Sequence, residues 1–369
     1  MTAVDVRVRL ERARAAAEEA GVTALLISPG PDLLYLTGYD SRLPDRLTCL
    51  IVPATGDIVV VVPELEVPAV DASPLGAADV QVMAWSESED PYSLVAAHLP
   101  RHGTVAVSDR MWATQALSLR ASMPGHEQRP AGAILNALRM CKDDEEVAAL
   151  KEAGAAIDSV HARLPDLLCA GRTELEVGAD IRIAMLVAGH ASADLVVVAS
   201  GPNGASPHHE LSERVIRPGD AVVVDIGGTM PSGYWSDSTR TYAVGEPPKE
   251  FVTLYSVLQL AQEAACMAVR PGVAARAVDA AAREVISEAG YGPNFNHRTG
   301  HGIGLQLHED PYLSAGNPEP LTAGMTFSIE PGIYIRGRFG ARLEDIVVCT
   351  APGCERLNAR PRDLLIVEA

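Results

Sequence analysis

The strongest constraint in this chain of 369 residues is where its second half puts charge. Asp225, Asp237, His301, Glu330 and Glu344 lie in AVVVDIGG, YWSDSTRTY, RTGHGIGLQLHE, TFSIEPGIYI and GARLEDIVV, runs that otherwise read as buried strands or glycine-tight turns. Ionisable side chains are seldom buried unless they are paired or bind a metal. Four carboxylates and one imidazole so placed need a common neutralising partner, and divalent cations supply one.

Local pattern suggests how these groups meet. Asp225 ends a buried strand, Gly227 to Gly233 turn the chain, and YWSDSTRTYAV returns it with Asp237, so a hairpin brings two carboxylates together. A pairing of one aspartate with Arg240 is the competing structural reading. His297, His301 and His308 fall within twelve positions, and the glycines around His301 predict a strand or loop with close backbone approach to something in the site. Alternation in ARLEDIVV predicts one strand with Arg342 and Glu344 on the same face, where a buried Arg–Glu pair is the alternative to metal binding. Oxygen donors with a single nitrogen suit manganese, cobalt, iron or zinc. Five ligands exceed the needs of one tetrahedral zinc, and a carboxylate-bridged pair of ions about 3.5–4 Å apart fits better.

The rest of the chain frames that site. Residues 1–137 alternate helical stretches with short β-branched runs at 24–28, 48–53, 57–63 and 104–108, and a helix is predicted over 111–123, which together suggest an α/β domain. No glycine-rich phosphate loop follows any of these strands. From 143 to 369 the chain reads as an α+β domain around a curved antiparallel sheet, with helices over about 144–168, 173–188, 250–268 and 274–289 and a strand-rich end. Asp143 or Asp144 is placed to cap the first of these helices. A net charge of −18 argues against a nucleic-acid footprint, and no apolar run reaches membrane-spanning length. The charged N-terminus reads as an amphipathic helix stopped by Gly21, not a secretory signal. Six scattered cysteines without a C-x-x-C pair read as reduced thiols, which favours the cytoplasm.

The five segments resemble the metallopeptidase family of aminopeptidase P, prolidase and methionine aminopeptidase, with its pita-bread catalytic fold. The resemblance covers about residues 143–369, and LLISPGPDLLYLTGYDS adds a likeness to the smaller domain of prolidases, aminopeptidases P and creatinases. It implies that Asp225 chelates one metal, that His301 and Glu330 bind the other, and that Asp237 and Glu344 bridge. It makes Glu330 the general base, and implies that His208 and His308 steady the substrate carbonyl and the tetrahedral intermediate. His297 matches another active-site histidine, and Arg342, from the RLED segment, is counted with the catalytic residues. His209 has no matched role and reads as surface or second layer. Manganese is favoured, with cobalt or zinc as alternatives, and a homodimer is expected.

These features together point to peptides with proline at the second position. Two departures from the family pattern stand out. The two aspartates are spaced one residue wider than is usual, which places the extra residue in the turn MPSG. Prolidases often carry an arginine four residues after the histidine matched by His308, where this chain has Tyr312. An Xaa-Pro dipeptidase is the leading reading, with Arg42 and Arg46 as substitutes for that arginine. An aminopeptidase P acting on longer peptides is the near alternative. A pseudo-peptidase binding module and a metal-free amidinohydrolase of the creatinase type remain as readings of other classes.

Overall fold

A computed structural model describes residues 3–41 and 45–368. The chain divides into two compact units, Met1–Arg139 and Met140–Ala369.

The first unit is built on six strands: β1 (Ala24–Ile27), β2 (Cys49–Pro53), β3 (Val59–Pro63), β4 (Gln81–Trp85), β5 (Gly103–Val107) and β6 (His126–Pro130). Their order is β4-β3-β2-β1-β5-β6. The pairs β1/β2 and β2/β3 are antiparallel, while β1/β5, β5/β6 and β3/β4 are parallel. The central strands are buried throughout, as their continuous apolar runs imply. Helix Ala3–Glu19 ends before Gly21, whose φ of 67° suits a residue without Cβ. The helix predicted over 111–123 forms over Ala113–Ser122. Arg46 pairs with Glu87 at 2.7 Å on the surface of this unit, and Arg42 lies outside the described residues.

The second unit opens with helices Asp144–Leu167 and Glu174–Val187. Each starts on a reciprocal cap: Asp143 with Glu146, and Thr173 with Glu176. Strands β7 (Leu195–Ser200), β8 (Ala221–Thr229) and β9 (Trp235–Val244) follow, then helices Lys249–Ala268 and Ala275–Glu288. The remaining strands are β10 (Gly300–Gly302), β11 (Glu309–Leu313), β12 (Thr326–Ile329), β13 (Gly332–Ile335), β14 (Phe339–Arg342), β15 (Asp345–Thr350), β16 (Gly353–Arg356) and β17 (Leu365–Val367). They form sheets β17-β9-β8-β7, β11-β10-β12-β15-β16 and β13-β14. Every pairing is antiparallel except β17 with β9.

Two apolar cores hold these sheets to their helices. Ile157, Val160, Ile181 and Met185 pack with Val198, Val222, Val224 and Ile226. Phe251, Leu254, Leu258, Val278 and Ile286 pack with Phe327, Ile329, Val347 and Leu343. Full burial of each such side chain contributes about 1.5–3 kcal/mol. The cores fix the backbone on which the charged residues stand.

The run ARLEDIVV is not one strand. It breaks after Arg342, and Leu343 and Glu344 link β14 to β15 in a different sheet. The break is held by Leu343, fully buried in the core, and by the Glu344 amide, which donates to Thr239 O at 3.0 Å.

Candidate metal centre

The hairpin β8–β9 pairs Asp225 with Thr239 and Gly227 with Asp237. The two aspartates are therefore diagonal neighbours on one face. Gly227 is required between them, because a Cβ there would lie 2.7 Å from Ser236 O and 3.3 Å from Asp237 Oδ1. The turn spans residues 230–234, with Gly233 at φ 86°. Gly300 and Gly302 serve the sheet instead of admitting something to the site. A Cβ on Gly300 would sit 1.9 Å from Ser328 O, and one on Gly302 would sit 2.3 Å from Asp310 O.

All nine residues singled out above line one cavity of about 430 Å³: Asp225, Asp237, His301, Glu330, Glu344, His208, His297, His308 and Arg342. Ligand-type atoms of Asp237, His301 and Glu344 lie within 4.8 Å of one another. His301 Nε2 is 3.2 Å from Glu330 Oε1 and 3.6 Å from Asp237 Oδ2. His301 Nδ1 donates to Gly302 O at 3.1 Å, which leaves the Nε2 lone pair facing the carboxylates. Ser328 Oγ accepts from the His301 amide and donates to Glu330 Oε1, both at 3.0 Å.

Neither aspartate pairs with Arg240, whose guanidinium binds Asp345 at 2.6 Å. Arg342 does not pair with Glu344 either. It reaches Asp225 Oδ2 at 2.5 Å and donates to Tyr334 Oη at 2.9 Å and to Thr239 Oγ1 at 3.2 Å. Thr239 Oγ1 in turn donates to Glu344 Oε2 at 2.7 Å. Tyr334 Oη lies 2.9 Å from His297 Nε2. Since His297 Nδ1 donates to Arg298 O at 2.7 Å, Nε2 is the acceptor.

The donor set fits hard divalent cations. Asp225 Oδ1, Asp237 Oδ1 and Glu344 Oε1 are buried and have no hydrogen-bond partner. Such orphaned oxygens are costly unless something positive is near. Burial first, then Glu344, Asp225 and Glu330, push the Asp237 carboxyl well above its ordinary range. Burial, Glu330 and Asp225 do the same to Glu344. Burial also raises Glu330, but the hydrogen bond and charge of His301, with His297 and Arg342, bring it down to about 2. Burial, with the charges of His301 and Arg298, lowers His308 to about 4.

Several contributors escape a reading by motif. Arg298 lines the cavity, and its guanidinium lies 4.4 Å from the Tyr312 ring centroid, with no carboxylate partner among the described residues. Its signal was present in HRTGHG, three positions before His301. Leu195, Pro207 and Leu307 form an apolar part of the wall. His209 lies in a second layer, 2.7 Å from buried Glu174. Glu174 also accepts from Ser200, Asn203 and Ser212, so it pins the loop that carries His208.

The comparisons with known proteins agree with this construction. Residues 148–351 match the family model of metallopeptidase family M24, and residues 9–141 match that of the creatinase/prolidase N-terminal domain. The probable dipeptidase PepE of Mycobacterium tuberculosis is 50% identical over 360 residues, 97% of this chain and 96% of the relative. The crystal structure of dipeptidase PepE from Mycobacterium ulcerans superposes with a TM-score of 0.96 at 50% identity, covering 100% of both chains. A recombinant prolidase from Thermococcus sibiricus gives a TM-score of 0.92 at 36% identity, covering 98% and 99%. With its cage of carboxylates and imidazole on an antiparallel scaffold, the chain belongs to metallopeptidase family M24.

Proposed function

We propose that this protein hydrolyses the bond between any residue and proline in Xaa-Pro dipeptides. Asp225 would hold one divalent ion, His301 and Glu330 a second, and Asp237 and Glu344 both. Manganese is the favoured metal, with cobalt or zinc as alternatives. Ions bound there supply positive charge that polarises a peptide carbonyl and makes water a better acid.

The chain's own residues do the rest. Glu330, held by Ser328 and His301, is the group that takes the proton of the attacking water and delivers it to the proline nitrogen, which has no hydrogen of its own. His208 and His308 stand at the cavity wall and would steady the carbonyl oxygen as it gains charge. Tyr334 and Arg342 fix His297 and Asp225 in place. Leu195, Pro207 and Leu307 offer an apolar surface suited to a pyrrolidine ring.

The observation that carries the dipeptidase reading is Arg298. A dipeptide presents a free carboxylate next to the scissile bond, and a guanidinium inside the cavity is the matching group. It stacks on Tyr312, the position where related prolidases often carry arginine, so a cation stands over the side chain that replaces one. The relatives named as dipeptidase and prolidase support the same choice. We assign residues 1–137 to the creatinase/prolidase-like N-terminal domain and 143–369 to the catalytic domain. Six free cysteines support a cytoplasmic setting, and we expect a homodimer, to be checked by light scattering.

The test compares Ala-Pro, Ala-Ala and Ala-Pro-Ala with manganese-reconstituted protein and with protein stripped by chelator. Cleavage of Ala-Pro alone, lost on stripping, is expected. Faster cleavage of Ala-Pro-Ala would transfer the assignment to aminopeptidase P. Undiminished activity after stripping would support the amidinohydrolase class, and binding without turnover the pseudo-peptidase.

A further inference from the structure

Away from the cavity, helix Lys249–Ala268 and strand β16 bring together two cysteines 88 positions apart, Cys266 and Cys354. The helix packs against this strand. Both line a separate groove of about 250 Å³, with Arg270, Arg356 and Glu263. Cys266 is 5% exposed, and Cys354 is partly buried against the same apolar core. Arg356 donates to Glu263 at 2.7 Å through Nη2. Its Nε is buried without a hydrogen-bond partner and stands 3.6 Å from Asp345. No third metal-type donor completes a cation site here among the described residues.

We propose that Cys266 and Cys354 are a reversible dithiol–disulfide pair oxidised by small hydroperoxides, with Cys266 the attacking thiol and Cys354 the resolving one. Two thiols that line one groove, on a helix and a strand packed together, are placed to form a bond of about 2.05 Å by side-chain rotation. The orphaned Nε–H of Arg356 is a donor that a sulfur anion satisfies. The hydrogen bond from Cys354, with the charge of Arg356, outweighs burial and holds the Cys266 thiol below its ordinary value. The same hydrogen bond, with burial, raises Cys354. That asymmetry sets the order of attack.

In the first step the Cys266 thiol gives up its proton, which goes to the leaving oxygen, and its sulfur attacks the terminal oxygen of the hydroperoxide. The O–O bond breaks, an alcohol or water leaves with a proton, and Cys266 becomes a sulfenic acid. In the second, Cys354 sulfur attacks Cys266 sulfur. The S–O bond breaks, and water leaves carrying the Cys354 proton. Two sulfurs lose two electrons between them and the peroxide gains both. Such disulfides in reducing compartments are transient and regulatory, consistent with the reduced thiols of the structure.

The test uses the full chain, titrated with hydrogen peroxide, alkylated and mapped by mass spectrometry. The expected first product is a peptide crosslinked between 266 and 354, with two of the six thiols lost and both restored by dithiothreitol. C354S should leave Cys266 as a sulfenic acid that dimedone traps, and R356Q should slow the reaction of Cys266. Cys349 faces Cys354 across β15 and β16. A first crosslink between 349 and 354, or oxidation of exposed Cys169 while 266 and 354 still alkylate, would overturn the proposal. The wild-type map decides the matter even if a variant fails to fold.

Discussion

Replacing Arg298 with glutamine separates the recognition of a dipeptide from the chemistry that cleaves it. The substitution removes the guanidinium that lies 4.4 Å from the Tyr312 ring centroid and leaves the carboxylate cage untouched. A charge-assisted hydrogen bond to the substrate carboxylate is worth about 1.5–3 kcal/mol, which is roughly 10- to 150-fold in kcat/KM for Ala-Pro. The contact is the same in ground and transition states, so the loss should appear in KM and leave kcat nearly intact. Ala-Pro-amide has no carboxylate to lose and serves as the control. The wild-type protein should prefer the free acid, and R298Q should cleave acid and amide at similar rates. R298K should recover part of the preference, because lysine offers charge without the planar fork. Unchanged discrimination in R298Q, with metal content and melting temperature preserved, would refute the assignment.

Glu330→Gln should retain the fold and lower kcat by about 10²–10⁴-fold; single-turnover assays on metal-loaded protein check this, and robust turnover would remove Glu330 as the proton acceptor. Glu174→Ala leaves Ser200, Asn203, Ser212 and His209 without their shared acceptor. It should cost about 1–3 kcal/mol in urea unfolding and reduce kcat/KM through the loop bearing His208. Buried His161 touches Tyr242 Oη and Ser238 O, and burial, then Arg240, lower it to about 3. A folded value below the unfolded one of about 6.5 favours the folded state when the ring is neutral. That stability is full above about 6.5 and falls as pH drops toward 3. His161 should therefore cost metal-free protein about 2 kcal/mol between pH 7.5 and 5, a share of the slope that His161→Gln removes while that of His308 stays; equal slopes in both proteins would reject this cause.

The parts of this fold that sequence reveals are those fixed by local rules. AVVVDIGG and its return strand announce a hairpin because buried strands and glycine turns are short-range features. Helix Asp144–Leu167 announces its start because Asp143 and Glu146 lie within one turn. Strands β4 and β6 stay hidden because QVMAW and HEQRP are mostly exposed or half-exposed and carry no clear alternation. ARLEDIVV looks continuous because alternation says nothing of a change of sheet. The partner of Arg342 is Asp225, 117 positions earlier, and no spacing rule reaches that far. Arg298 lies inside HRTGHG, whose visible signal is its histidines and glycines. Its meaning depends on Tyr312, which the β10–β11 pairing brings beneath it.

The number of ions follows from charge and from which oxygens lack partners. Within the cage itself, leaving Arg298 at the wall for the substrate carboxylate, Asp225, Asp237, Glu330 and Glu344 contribute four negative charges and Arg342 one positive, so the cage carries three negative charges when all are ionised. One divalent ion leaves a negative charge in a buried site. Two leave a single positive charge, which attracts a peptide carbonyl. Geometry points the same way. Asp237, His301 and Glu344 would hold a first ion, and two of these three residues carry an orphaned oxygen. Asp225 Oδ1 lies outside that trio and keeps its unmet need, since Arg342 engages only the other oxygen. Reconstituted protein should therefore bind two ions per chain by elemental analysis, and D225N should hold one while keeping the fold. Saturation of the wild-type protein at one ion per chain would mean that Arg342 alone balances Asp225, and that a single cation does the polarising.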